Sequence, residues 1–309
     1  MNPFSHFRGL KLRGRTIHVA QTGAAIKIDG ALAKSALAIA VLNTYITAMR
    51  LSRTLRGKAA TGTIAFKPQN PGPWYNIRLM AHFAGLKITR DTAKADHIFI
   101  FDDSTHSMAG GALSETERAK AINHNITDIS KINVARIFED VFGYPLHIDP
   151  LSYSGHAVQK SDANGTHDGI IVDCPLPADQ IKDGCAYQKL IDSTFNDRQS
   201  EDLRAAICFD EIPVIFHKYK DLSKRFGTDY AKVDVIEAQD VFSTLERTRI
   251  KTFCKTIGLD FGAIDIMRDK SDGRIYIVDV NKTCMPVLSL KLSEQAKAFR
   301  TIAKAFMTK

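Results

Sequence analysis

The chain has 309 residues, 44% apolar and 25% charged, the composition of an ordinary globular protein long enough for a large core and one to three subdomains. A formal net charge of +8 and a pI near 9.2 suit an anionic partner, such as a nucleotide or a phosphorylated or carboxylated substrate. There is no internal repeat, low-complexity tract, zinc-type cysteine spacing or basic–aromatic module, so nucleic-acid binding is not expected.

The basic residues are spread along the chain apart from a cluster at Arg8, Lys11, Arg13 and Arg15. No signal-peptide layout opens the sequence. Five cysteines (Cys174, Cys185, Cys208, Cys254, Cys284), mostly inside apolar runs, suit buried thiols in a reducing compartment, and a cytoplasmic location is expected. Residues 1–60 carry short strand patterns at Thr16–Ala20 and Ala25–Ile28, then the most apolar long segment, Ala31–Met49. Lys34, Asn43 and a length barely sufficient for a bilayer favour a buried or peripheral helix over a membrane span; peripheral membrane contact is not the expected role. Arg50–Lys58 reads as a basic linker.

From Thr61 the pattern alternates. TIAFKP (63–68) reads as a strand, Trp74–Ala84 as a helix stopped by Gly85, and Leu86–Thr89 and His97–Asp102 as strands, which together suggest a small parallel sheet. FDDSTHSMAGG then lies at a strand's C-terminal end, where open α/β sheets place ligands, although a plain surface loop fits equally well. Ile129–Phe142 is amphipathic, with Asp128 as candidate N-cap and Gly143 as stop. Strands at 157–160 and 169–172 flank SDANGTHDG, and Cys185–Ile191 forms another. Asp202–Phe209 and Ile212–Lys220 read as a hairpin turning at Asp210-Glu211. A helix over Asp240–Ile257, a hairpin over Gly258–Asn281 and a basic-faced helix over Leu292–Phe306 complete the chain.

Two constellations carry chemistry. In the Gly258–Asn281 hairpin, a turn centred on Asp272 sets Asp265 opposite Asp279, with Asn281 on the face of Asp279, Ile275 and Ile277. Facing carboxylates on apolar strands are unfavourable without a cation, and Mg²⁺ suits oxygen donors of this kind. Asp269 and Asp272, in the turn, read as surface acids. In the 202–220 hairpin, a turn centred on Glu211 sets Arg204 opposite Lys218, a pair suited to phosphate or to surface acids. Lys160 precedes a loop with Gly165 and Gly169, and Lys131 opens its helix; each is weak evidence alone. Walker and protein-kinase motifs are absent.

The order of these parts resembles the ATP-grasp superfamily from about Asp128 to the C-terminus. GLDFGAIDIMRD…GRIYIVDVNKT is similar to its metal-binding strands. KINVARIFEDVFGYPL and AVQKSDANGTHDGIIV resemble its two lysine segments, AYQKLID its adenine hinge, and DLRAAI its arginine strand. The resemblance implies an α+β ATP-grasp fold, two subdomains clasping ATP, preceded by a small α/β Rossmann-like domain. The corresponding division is 1–60 unassigned, 61–127 the preceding domain, 128–192 the lysine and hinge subdomain, and 193–309 the metal-binding subdomain. It further implies that Lys131 and Lys160 hold ATP phosphates and that Gln188, Lys189 and Leu190 line the adenine pocket, with Asp192 near the ribose. Arg204, with Lys218, would stabilise the transferring group, and Asp265, Asp279 and Asn281 would bind one or two Mg²⁺ (or Mn²⁺).

The implied reaction is ATP-dependent joining of a small-molecule or peptide carboxylate to an amine or thiol through an acyl phosphate, releasing ADP and phosphate. The alternatives are a kinase acting on a hydroxyl and a non-catalytic nucleotide-binding regulator. A homo-oligomer accords with many relatives. Asp279 replaces the usual glutamate, and Lys282–Pro286 departs from the family's Pro-Gly turn. His167 and Asp168 are either additional contacts or turn residues.

Overall fold

The computed structural model describes residues 10–19, 25–107, 113–227 and 230–309; Arg8, Ala20 and the part of FDDSTHSMAGG from Met108 onward lie outside them. The chain divides into two compact units, Met1–Thr127 with Asp260–Gly262 and Lys282–Lys309, and Asp128–Leu259 with Ala263–Asn281.

The first unit opens with an antiparallel sheet of β1 (Leu10–Arg13), β2 (Thr16–Val19) and β3 (Ala25–Lys27). Helix α1 (Gly30–Leu55) follows, its first turn capped by Asp29, whose Oδ1 accepts from the Ala31 and Leu32 amides at 3.0 Å. It continues through Arg50–Leu55, so most of the expected linker is helical. No glycine or proline interrupts the sequence before Gly57, whose φ of +65° ends the run. Only Leu42 and Ile46 of α1 are buried, so the reading of a buried helix does not hold along most of its length.

Next come β4 (Gly62–Pro68), α2 (Asn76–Ala84), β5 (Leu86–Ile88), β6 (His97–Phe101), the single turn α3 (Glu115–Arg118) and β7 (Ala121–Ile122). The four strands run parallel in the order β5-β4-β6-β7. Ile64, Ala65, Ile98, Phe99 and Ile100 are all buried, as expected of a sheet covered on both faces.

The second unit begins with α4 (Lys131–Phe142). Its cap is Ser130 rather than Asp128: Ser130 Oγ accepts from the Asn133 amide, while Asp128 Oδ1 holds the Ser130 amide at 2.8 Å. Strands β8 (Gly155–Ser161), β9 (Ile170–Cys174) and β10 (Cys185–Lys189) make an antiparallel sheet with β8 central. Then follow β11 (Thr194–Asn196), β12 (Gln199–Cys208), β13 (Glu211–Asp221) and β14 (Lys232–Ile236). The helix expected over 240–257 is two, α5 (Ala238–Val241) and α6 (Thr244–Ile257). Ser243 and Glu246 form a reciprocal capping box that restarts the helix.

Strands β15 (Phe261–Arg268) and β16 (Ile275–Asn281) complete a sheet ordered β14-β13-β12-β15-β16, with β11 on β12. Beneath β16 lies an aromatic cluster of Phe138, Phe142, Tyr144 and Tyr276. The last helix, α7 (Leu292–Met307), returns to the first unit and packs on α2, where Phe83 and Phe299 stack at 5.5 Å.

Candidate active site

All the residues predicted to handle phosphate and metal lie in the second unit. Asp265 and Asp279 are register partners on β15 and β16, as the sequence predicts. The hairpin is not regular, however. Asp265 pairs with Asp279 but Ile266 pairs with Ile277, so Val278 is an extra residue with no partner opposite it. This bulge breaks the alternation and separates Asp279 and Asn281 from the face of Ile275 and Ile277 that strict alternation implies. At this bulge the Val278 carbonyl accepts from Lys160 Nζ at 3.1 Å.

The cations do not face each other as expected. The β12–β13 turn lies at Phe209-Asp210, and the ladder shifts between Ala206 and Cys208. Arg204 is therefore opposite Phe216, and Lys218 is opposite Asp202. The displacement is two residues, an even number, so Arg204 and Lys218 keep a common face. Both reach Asp265. Arg204 grips it with two bonds, Nε at 2.8 Å and Nη2 at 2.7 Å, and Lys218 adds a third at 3.0 Å. Asp202, which the sequence reading overlooked, pairs with Lys218 at 2.6 Å and Lys220 at 3.2 Å. Lys218 and Lys220 also lie 5.1 and 5.4 Å from the ring centroid of Tyr230.

The facing acids thus do not need a metal for neutrality. Asp279 pairs with Lys131 and accepts from Asn281 Nδ2 at 3.0 Å. Lys131 also donates to Asn164 Oδ1 at 3.1 Å. The β8–β9 loop seats this lysine, because Asp162 accepts the Lys131 amide on its carbonyl and the Ile132 amide on its carboxylate. Asp168 braces the loop through Ser161 and Thr166. A side chain on Gly169 would run into the Phe226 ring, which gives this glycine a packing role.

Electrostatics follow from this crowding. Burial works to raise the Asp265 carboxyl, but Arg204 and Lys218 hold it well below the carboxylate range. Burial and then Arg204 act to lower Lys218, yet Asp202 and Asp265 keep it raised. Lys160 is lowered to about 8, first by burial and then by Lys131. Burial also lowers His167, with Asp279 acting against it and Lys220, Lys131 and Arg204 adding to it. Lys131, Lys160, Arg204, Lys218 and Lys220 face Asp168, Asp202, Asp265 and Asp279, so the cluster holds five cations and four carboxylates, a surplus of one positive charge.

The hinge residues form a separate group. Gln188 is buried, and its Nε2 has no hydrogen-bond partner. Leu190 is half-buried, and the Asp192 carboxylate is turned onto the Thr194 amide. The side chain of Lys189 is bound by Asp269 at 2.8 Å, Asp272 at 3.0 Å and Tyr276 at 3.1 Å, and together these contacts raise it against the pull of burial. Asp269 is itself buried. The two turn acids are therefore not loose surface groups but the anchor of Lys189.

Tested against this arrangement, the groups implied by the resemblance fit. Five convergent cations, in excess of their acids, suit a polyphosphate, and the unpartnered Gln188 amide lies on the strand expected to form the hinge. Among the described residues no three or more His, Cys, Asp or Glu side chains gather as a metal site. Two carboxylates and an amide oxygen nonetheless match what Mg²⁺ takes from protein when phosphate and water complete its shell. An ion held there would compete with Arg204, Lys218 and Lys131 for the same oxygens.

No protein-family model matches the sequence, and no curated protein matches it. Solved structures do. ATP-grasp ligase PsnB, complexed with a phosphomimetic variant of minimal precursor, Mg and ADP, aligns with a TM-score of 0.52 at 12% identity over 81% of this chain and 99% of that one. The macrocyclase MdnC of Microcystis aeruginosa MRC, bound with precursor peptide MdnA, aligns at 0.44, 11% identity, over 80% and 99%. VanG D-Ala:D-Ser ligase of Enterococcus faecalis aligns at 0.43, 12% identity, over 72% and 74%. The chain has the ATP-grasp fold.

Proposed function

We propose that the protein is an ATP-dependent ligase that joins a carboxylate, on a small molecule or a peptide, to an amine or thiol. The observation that carries this reading is the convergence of buried and half-buried cations around the opposed Asp265 and Asp279 within an ATP-grasp fold. The PsnB structure, complexed with Mg and ADP, supports ATP and Mg²⁺ as the co-substrate and metal. Five free thiols among the described residues support a reducing, cytoplasmic setting.

In this reading Lys131 and Lys160 bind phosphates from the β8 side, and Arg204, Lys218 and Lys220 from the β12–β13 side. The substrate carboxylate attacks the γ-phosphorus of ATP, and the bond from that phosphorus to the β–γ bridging oxygen breaks, giving an acyl phosphate and ADP. The amine nitrogen then attacks the acyl carbon, the carbon–oxygen bond to phosphate breaks, and the amine proton leaves to solvent. Arg204 is suited to the charge that gathers on the transferring group, because its fork already spans two carboxylate oxygens. Mg²⁺ on Asp265, Asp279 and Asn281 would supply further charge neutralisation. Asp202 fixes Lys218 and Lys220 and acts through them.

The test is ADP release against pooled amino acids, small peptides and hydroxy acids. Free phosphate appearing with ADP supports the ligase, and phosphate retained on the product identifies a kinase instead. Asp279→Ala should fold and lose Mg-dependent ADP formation; full turnover by that variant would remove Asp279 from the mechanism.

A further inference from the structure

The overall charge of +8 conceals a strong asymmetry. Residues 1–90 contain 14 lysines and arginines and a single acid, Asp29, a net +13, whereas the remaining 219 residues carry 28 basic and 33 acidic residues, a net −5. Helix α1, with only Leu42 and Ile46 buried, lies in this cationic region.

Positions 33, 37, 40, 41, 44, 48, 51 and 55 of α1 recur every three or four residues and fall on one side of the helix. They read Ala, Leu, Ala, Val, Thr, Ala, Leu and Leu, without a charge. Leu37, Val41, Leu51 and Leu55 are 66, 46, 58 and 79% exposed. The stripe is about 33 Å long. By length and composition α1 could cross a membrane. Its opposite side, however, is committed to the fold: Leu42 and Ile46 are buried, Asn43 Nδ2 donates to the Pro73 carbonyl, and Tyr45 packs near Phe83 and accepts from Arg300. The helix can lie on a surface but cannot be surrounded by lipid.

A second feature adjoins the stripe. A cleft of about 430 Å³ is lined by Tyr45, Ala48, Met49, Ser52, Arg53, Arg56, Lys58 and Arg300, four cations and no acid. The positive field extends inward, where burial, then Arg50 and Arg78, lower His82 to about 4. Among the described residues of this region the exposed large apolar side chains, Leu12, Ile28, Leu37, Val41, Leu51 and Leu55, are all aliphatic. They offer no ring for stacking bases, which argues against nucleic acid. The surplus of like charge argues against a symmetric contact with the same face of a second copy.

We infer that α1 is a peripheral docking surface for an anionic phospholipid bilayer: its aliphatic stripe enters the interface while Arg53, Arg56, Lys58 and Arg300 take lipid phosphates. This does not depend on the ligase reading.

The full chain would be mixed with vesicles of phosphatidylcholine alone or with 30% phosphatidylglycerol, and the bound fraction measured by co-sedimentation. Binding is expected with the anionic vesicles and should fall steeply at 0.5 M salt. Arg56→Glu with Lys58→Glu should weaken it by more than about 25-fold, since each cation near such a surface is worth about fivefold. Leu37→Ser, Val41→Ser and Leu51→Ser together should also abolish it, with unchanged circular dichroism, because all three side chains are exposed. Equal binding to neutral vesicles, no binding to either kind, preference for a homopolymeric RNA, or displacement by millimolar inorganic phosphate would each overturn the inference, the last by revealing a free-phosphate site.

Discussion

The substitution Asp265→Asn keeps the shape of the side chain and removes its charge from the most crowded point of the site. Arg204 keeps one acceptor oxygen, loses the charge opposite it and meets an amide NH₂ where the second oxygen had accepted, while Lys218 retains Asp202. Lys218 is 1% exposed and Arg204 20%, so neither cation is well placed to recover its loss from water. Removing one member of a buried pair costs about 3–5 kcal/mol. For a unit of this size that lowers Tm by roughly 6–20 °C.

The same change raises the surplus of positive charge in the cluster from one to two. ADP added with EDTA should therefore bind the variant more tightly than the wild type and restore much of the lost Tm, whereas turnover with Mg²⁺ should be lost. The sign with pH follows from the lowered carboxyl. Asp265 contributes stability above its unfolded pKa of about 4, and this is lost only as pH falls through its lower folded value. The gap between wild type and variant should thus be constant from pH 5 to 8 and close on acidification. Differential scanning fluorimetry across pH, with and without ADP, measures all of this. A variant melting within 2 °C of wild type, or gaining no more from ADP than wild type does, would refute the claim that Asp265 balances those cations.

Two further outcomes follow. Lys160, at about 8 in the fold and 10.5 unfolded, leaves the unfolded chain holding more protons between those values, so its contribution to stability rises with pH across that window, while ADP affinity should fall there as the ammonium is lost. Calorimetry from pH 7 to 9.5 should show this fall, and Lys160→Arg should flatten it. In the first unit Asn123, held at φ +62°, accepts the Asp260 and Phe261 amides at 2.9 Å and donates to the Phe261 carbonyl at 2.7 Å. Asn123→Ala would leave these buried groups unpaired at about 1–3 kcal/mol each, and urea unfolding should register a loss of at least about 3 kcal/mol.

The main elements were legible because hydrophobic periodicity and glycine stops carry over directly into structure: Gly85, Gly143 and Gly258 all end helices at positive φ. The opposed pair Asp265–Asp279 was legible from the turn alone. Register beyond a turn was not. A shift between Ala206 and Cys208 leaves no mark in composition, and it moved the partner of Lys218 from Arg204 to Asp202. Asp202 was hidden for the same reason; Lys218 and Lys220, two residues apart on one strand face, are the only sequence signal of a buried acid there. Asp269 and Asp272 looked like turn residues because turns favour aspartate; their role emerges only where Lys189 reaches them from another sheet. The exposed stripe of α1 was hidden by its high apolar content, which in a soluble fold ordinarily signals burial.

A single inserted residue explains much of how the site is built. The ladder shift leaves Val278 without a partner on β15, and the carbonyl of this residue anchors Lys160 from β8. The next residue, Asp279, takes Lys131 from the start of α4, while the opposed Asp265 takes Arg204 and Lys218 from β12 and β13. Two lysines thus converge from one sheet and its helix, and the other cations from a second sheet, on two carboxylates fixed by register. Each carboxylate is already bound to cations from its own side. The surplus charge is therefore preorganised, held in place by protein acids and in excess of them, and this is what a site must have if it is to receive a polyanion without rebuilding itself.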